Sequence, residues 1–122
     1  MATLHITDEN FRETYTNNDI VILDFWAPWC GPCQMFGPIF EAASDQYDDV
    51  VFGKINTEEE TKLAMYFGIR SIPTIVVLRS GVKVFEQPGA LGEQDLHQLI
   101  AAVKQIDMEA ELARLEAEED KA

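Results

Sequence analysis

The chain has 122 residues, 47% of them apolar, a formal net charge of −13 and two cysteines. That is the length of one domain with enough apolar content for a proper core, and its acidity argues against nucleic acid and anionic membrane as partners. No apolar run approaches the roughly 20 residues that span a bilayer, and Met1-Ala2-Thr3-Leu4-His5 lacks a basic segment followed by an apolar one, so a cytoplasmic address is expected.

Thr3 to Ile6 is a short strand candidate. Thr7 is placed to cap a helix from about Asp8 to Tyr15, with Asp8 and Glu9 favourable to its dipole. Asn17-Asn18-Asp19 is a turn. Ile20 to Trp26 is an apolar run of the kind that forms a buried strand, and a helix is expected from about Gly31 to Tyr47. Pro38 should kink that helix and not end it, because apolar periodicity resumes at Ile39, Phe40 and Ala43. Val50 to Ile55 is the next strand, and Thr57-Glu58-Glu59-Glu60 reads as a capping box for a helix that stops at Gly68. Thr74 to Leu78 and Val82 to Phe85 read as a hairpin turning at Ser80-Gly81. A last helix runs from Gly92 or Glu93 through Leu96, Leu99, Ile100 and Val103. Strands joined through helices should be parallel and the hairpin antiparallel, which gives an α/β fold: a mixed central sheet with helices on both faces.

Both cysteines lie in Trp29-Cys30-Gly31-Pro32-Cys33, where the central strand meets its helix. The first amides of a helix have no intrahelical acceptor, and their partial positive charge favours a thiolate at Cys30 over a thiol. Cys33, one turn further on and facing inward, is the resolving thiol that attacks a mixed disulfide formed by Cys30. Pro32 lacks an N–H where none is needed and stiffens the loop. A purely structural disulfide over so short a loop would remove little chain entropy. Two cysteines are too few for a thiolate zinc site, and His5 and His97 lack ligand spacing, so no metal is expected. The pair therefore reads as a catalytic dithiol.

Asp24 is the exception in Val21-Ile22-Leu23-Asp24-Phe25. A carboxylate among such neighbours is costly to bury unless it is paired or protonated, and burial raises its pKa. A base of near-neutral pKa is well matched to taking the proton from Cys33.

The residues Asp24-Phe25-Trp26-Ala27-Pro28-Trp29-Cys30-Gly31-Pro32-Cys33, Pro38, Lys54-Ile55-Asn56, Gly68-Ile69-Arg70-Ser71-Ile72-Pro73-Thr74 and Gly89-Ala90 closely resemble the thioredoxin family, over about residues 3 to 106. The resemblance implies the thioredoxin fold and a general protein-disulfide reductase, with Cys30–Cys33 as its redox centre and no bound cofactor. It implies disulfide-containing protein clients and re-reduction by a thioredoxin reductase, either an NADPH-dependent flavoprotein or a ferredoxin-linked enzyme. It assigns Asp24 the same role as base, and places Lys54 where its charge opposes the upward shift. It makes the Ile72–Pro73 bond cis and sets it facing the dithiol. A mostly apolar groove of Trp29, Ile72, Pro73, Gly89 and Ala90 would then surround Cys30, with Gly31 and Pro32 at its rim, and the Ile72 backbone would be open to an extended substrate. Trp26 and Phe25 are expected to pack in the core and loop. Gln34, Ser71 and Pro88 depart from the family's usual residues and bear on partner preference and potential, not on the chemistry.

The family domain should close near Ile106, giving a domain of 1–106 and an acidic helical extension of 107–122. The extension holds seven acids against two bases, Arg114 and Lys121. The last helix is expected to continue into it by a few turns, in a monomer. The competing expectation is a dimer seam running from Leu99, Val103 and Ile106 to Ala110 and Ala113. For function, the alternative to a reductase is a binding subunit of a larger complex that uses the extension.

Overall fold

The computed structural model describes residues 2–121. In chain order it contains β1 (Thr3–His5), α1 (Phe11–Asn17), β2 (Ile20–Trp26), α2 (Gly31–Ser44), β3 (Val50–Asn56), α3 (Thr61–Tyr66), β4 (Thr74–Arg79), β5 (Val82–Pro88), α4 (Glu93–Lys104) and α5 (Met108–Lys121). The sheet order is β1-β3-β2-β4-β5. β3 is parallel to both β1 and β2, while β4 is antiparallel to β2 and β5 to β4.

β2 sits at the middle, and its alternation divides the core. Ile20 and Ile22 face one side with Val50, Phe52, Phe36, Phe40, Leu96, Ile100 and Val103. Val21, Leu23 and Phe25 face the other with Ile6, Ile55, Leu63 and Val76. By the same alternation Asp24 and Trp26 belong to the first side, beneath α2. Burying one side chain such as Phe40 stabilises the fold by about 2–3 kcal/mol. Phe40 and its ring neighbours Phe36 and Phe52 are fully or almost fully enclosed, so α2 is held firmly against the sheet.

Several local expectations need correction. The expectation that all helix-linked strands are parallel fails at β4. A six-residue helix is about 9 Å long, far shorter than the strands, so α3 does not return the chain along the full sheet. The chain re-enters at the end where β3 stopped, and β4 runs opposite to β2. The Thr57 capping box is absent as well: Glu60 stands at the N-cap with no side-chain bond to the helix. Thr57 Oγ1 instead donates to Trp26 O at 3.1 Å, and Glu60 Oε1 accepts from the Asp8 N–H at 3.0 Å. Long-range partners outcompeted the local one.

Helix α1 begins at Phe11, later than expected. Thr7 and Asn10 close the preceding turn on each other: Asn10 Oδ1 accepts from the Thr7 N–H and Thr7 Oγ1 from the Asn10 N–H, at 2.8 and 3.3 Å. The end of α3 does follow the sequence. Gly68 adopts φ +64°, a conformation costly for residues with a Cβ. Its N–H donates to Met65 O and that of Ile69 to Ala64 O, the paired bonds of a Schellman stop. Pro38 lies inside α2 without ending it, as expected, and α2 stops at Ser44, short of Tyr47.

The C-terminal helix is present but is not a continuation of α4. Helix α4 closes at Gln105, with Arg79 Nη1 donating to Val103 O and Ile106 O at 2.7 Å each. Asp107 then starts α5 afresh: its Oδ1 accepts from the Ala110 N–H at 3.1 Å and its O from the Glu111 N–H at 3.0 Å. The break removes the continuous seam from Leu99 to Ala113.

Candidate active site

The C-terminal end of β2 delivers the chain to α2 through a tight turn, in which the Cys30 N–H donates to Ala27 O at 3.2 Å. Cys30 is the N-cap of α2, with extended backbone. Its Sγ accepts from the Cys33 N–H at 3.2 Å, where a capping serine or aspartate would place its oxygen. Its carbonyl accepts from the Gln34 N–H at 3.1 Å. The sulfur therefore sits against the positive end of a 14-residue helix. Cys33 lies one turn on, and the two are joined as a disulfide with Cα atoms 5.2 Å apart. Gly31 and Pro32 between them are exposed.

In this disulfide form only 4% of Cys30 is exposed, as for Cys33. The loop before β4 lies against it. The Ile72–Pro73 bond is cis, and Ile72 O lies 3.7 Å from Cys30 Sγ. Pro73 is buried and Ile72 half-buried. Gly89, at φ +98°, donates its N–H to Pro73 O at 2.7 Å and so ties the second loop to the first. Gly89 and Ala90 are exposed beside it. On the other flank Trp29 is 69% exposed, and its indole N–H donates to Glu58. All seven residues expected to bind substrate thus lie on the two loops and the helix start around the cysteines. Phe25 is core; Trp26 is half-buried.

On the sheet, Asp24 stands directly opposite Lys54 in the β2–β3 register. Asp24 is completely enclosed, and neither carboxylate oxygen has a hydrogen-bond partner. Its pKa is raised to about 7: burial disfavours the charge, Lys54 pulls the value down, and Glu41 pushes it up. The Lys54 ammonium lies 5.0 Å from the centroid of the Trp26 ring, a cation–π placement. Trp26, Cys33, Gly37, Glu41 and Lys54 line an open cleft of about 570 Å³ that reaches Cys33 from behind. Glu41 was missed in the sequence. The signal that could have found it is its spacing of four and eight residues from Gly37 and Cys33, which puts all three on one stripe of α2.

Among the described residues no group of three or more His, Cys, Asp or Glu could hold a metal ion, and no helix is long and apolar enough to cross a membrane. A disulfide at a helix N-cap, with a buried near-neutral carboxyl on the strand that leads into that helix, defines a protein of thiol–disulfide exchange.

Comparison with known proteins agrees. The thioredoxin family model matches residues 2–102. A protein of Streptomyces coelicolor assigned to the thioredoxins is 49% identical over 108 residues, covering 88% of this chain and 81% of that protein. The thioredoxin of Porphyra purpurea is 41% identical over 98 residues, covering 79% and 92%. Among solved structures, a mutant thioredoxin from Halobacterium salinarum superposes with a TM-score of 0.80 at 34% identity, covering 85% of this chain and 92% of that one. The chain belongs to the thioredoxin family. It is a thiol–disulfide oxidoreductase that reduces protein disulfides by exchange through Cys30 and Cys33, and the binding-subunit alternative is not favoured.

Proposed function

We propose the following division of labour. Cys30 attacks a client disulfide as the thiolate, and the client sulfur that leaves carries off the electron pair. Asp24 takes the proton from Cys33. The Cys33 thiolate then attacks Cys30 Sγ, the bond between Cys30 and the client breaks, and the reduced client departs with its second sulfur protonated by solvent. Lys54 keeps Asp24 from becoming too weak an acid to exchange its proton near neutrality. Trp29, Gly31, Pro32, Ile72, Pro73, Gly89 and Ala90 hold the client chain, which pairs with the Ile72 backbone. The observation that carries this reading is the N-cap disulfide together with an unpartnered, buried Asp24 on the strand that leads into the same helix.

The reading extends to the setting. The chain acts in the cytoplasm as a monomer, with no bound cofactor, and is recycled by a thioredoxin reductase. Residues 1–106 perform the chemistry, and 107–122 are an appended acidic extension, helical over Met108–Lys121. A coupled assay with insulin as client tests it. With NADPH and a flavoprotein thioredoxin reductase, or with a ferredoxin-linked one, catalytic amounts of the chain should sustain reduction for many turnovers. A folded chain that reduces insulin with dithiothreitol but with neither donor would refute the recycling partner. Failure with dithiothreitol as well would refute the reductase reading.

A further inference from the structure

The reaction as described leaves one carboxylate unused. Glu41 is half-buried on α2, two turns after Cys33 on the stripe Cys33–Gly37–Glu41. One oxygen is fixed: Oε1 accepts from Thr3 Oγ1 on β1 at 2.7 Å. The other, Oε2, is buried with no partner. A half-bonded carboxylate in such a place is costly unless a positive charge lies close. The available cation is Lys54, which lines the same cleft. Its ammonium would lie 3.9 Å from a Cβ at Gly37, one turn before Glu41. Lys54 thus has two carboxylates in its neighbourhood, Asp24 in register beside it on the sheet and Glu41 on the helix across the shared cleft.

We propose that Glu41 is a positioning residue for the resolving step: it competes with Asp24 for Lys54 and so keeps Asp24 able to accept and release a proton near neutral pH. With Glu41 charged, Lys54 is shared and Asp24 stays a weak acid, poised to take the Cys33 proton. Without a charge at this position, as in a glutamine substitution, Lys54 acts on Asp24 alone, and Asp24 becomes a stronger acid and a poorer base. The direction agrees with the upward push that Glu41 exerts on Asp24. The other groups facing this site are few. Cys33 approaches from α2, Ile75 is the uncharged neighbour on β4, and His5 is the exposed residue in register with Lys54 on β1. From α4, Leu96, Ile100 and Val103 pack in this core, while its titratable Glu93 and His97 line a separate cleft against Pro38, Ile39 and Ala42 of α2.

The inference rests on Asp24 being the base for Cys33, so the test contains a variant for each idea. Carboxyl-carbon NMR gives the titration midpoint of Asp24, and single-turnover stopped-flow fluorescence gives the pH profile of mixed-disulfide resolution. Glu41→Gln keeps the shape and the acceptor for Thr3 but removes the charge. It should lower both midpoints by at least about half a pH unit, roughly threefold in proton affinity. Thr3→Val removes the bond and keeps the charge, and should leave both midpoints in place. If E41Q leaves the midpoints unmoved, or moves them no further than T3V does, Glu41 is merely structural and the inference fails. Asp24→Ala separates the two readings. If D24A abolishes the pH step in resolution, Asp24 is the base whatever E41Q shows. If the step survives D24A, the assignment of Asp24 and the role of Glu41 fall together.

Discussion

Replacing Cys33 with Ser should stop turnover altogether and leave clients covalently attached to Cys30. The serine hydroxyl is far too weak an acid to supply a nucleophile at neutral pH, so the mixed disulfide has no partner within the molecule to displace it. The fold should survive, because Cys33 Sγ makes no hydrogen bond beyond its bridge to Cys30, and the Cys33 N–H that caps the helix start belongs to the backbone. Incubating reduced C33S with a disulfide-bearing protein and separating the products without reductant should show a one-to-one adduct that dithiothreitol releases. The companion variant Cys30→Ser should form no adduct and reduce insulin no faster than buffer does. An adduct formed through Cys33 in C30S at a comparable rate would mean that the order of attack assigned above is reversed.

The second large effect concerns stability. Asp24 has its pKa raised from 3.8 to about 7 in the folded chain. Below pH 3.8 it is protonated whether folded or not, and its burial carries no ionisation penalty. As pH rises through the interval, the unfolded chain releases a proton that the folded chain retains, so the unfolded state is progressively favoured. Above pH 7 the penalty is constant, at about 4 kcal/mol from the size of the shift. Asp24→Ala removes it and leaves a small cavity in exchange. The variant should therefore be more stable than the unaltered chain by roughly 2–4 kcal/mol above neutrality. The advantage should shrink as pH falls and vanish between about pH 4 and 5.5, where the ionisation penalty no longer exceeds the cost of the cavity. Urea unfolding of the two oxidised proteins across this range measures it. A difference that does not change with pH would show that Asp24 is not held as a buried acid. A site residue that destabilises its own fold is a functional compromise of the kind found where chemistry needs a strained or poorly solvated group.

How much of this was legible beforehand follows from the range of each interaction. The strand Ile20–Trp26, the cysteine pair and the helix after it are local, and apolar run, spacing and proline position are enough to place them. Asp24 was legible because both of its flanks are apolar, so any burial of the strand had to bury the carboxyl. The stop at Gly68 was legible for a similar reason, since a backbone conformation with positive φ leaves its mark on a single residue. The start of α3 was not. Thr57 and Glu60 carry the pattern of a capping box, yet Trp26 O and the Asp8 N–H, both far away in sequence, claim those side chains. The direction of β4 depended on α3 being too short to recross the sheet, and its length became clear only once its true start was known. Helix α5 looked like a prolongation of α4 because both are helical in character. The stop is made by the guanidinium of Arg79, arriving from β4, and no local pattern announces it. Glu41 was not legible because only the laying of α2 across the sheet brings it into one cleft with Lys54.

Turnover requires Cys30 to be the nucleophile, activated by the start of α2 and able to leave the cover of Ile72 once the disulfide is opened. Alkylation of the fully reduced chain by iodoacetamide, followed by peptide mass mapping at a series of pH values, measures this directly. The account predicts that Cys30 is modified first and almost alone, with a pH midpoint well below that of an ordinary thiol. Preferential labelling of Cys33, or a Cys30 that stays unreactive until the chain is unfolded, would contradict it.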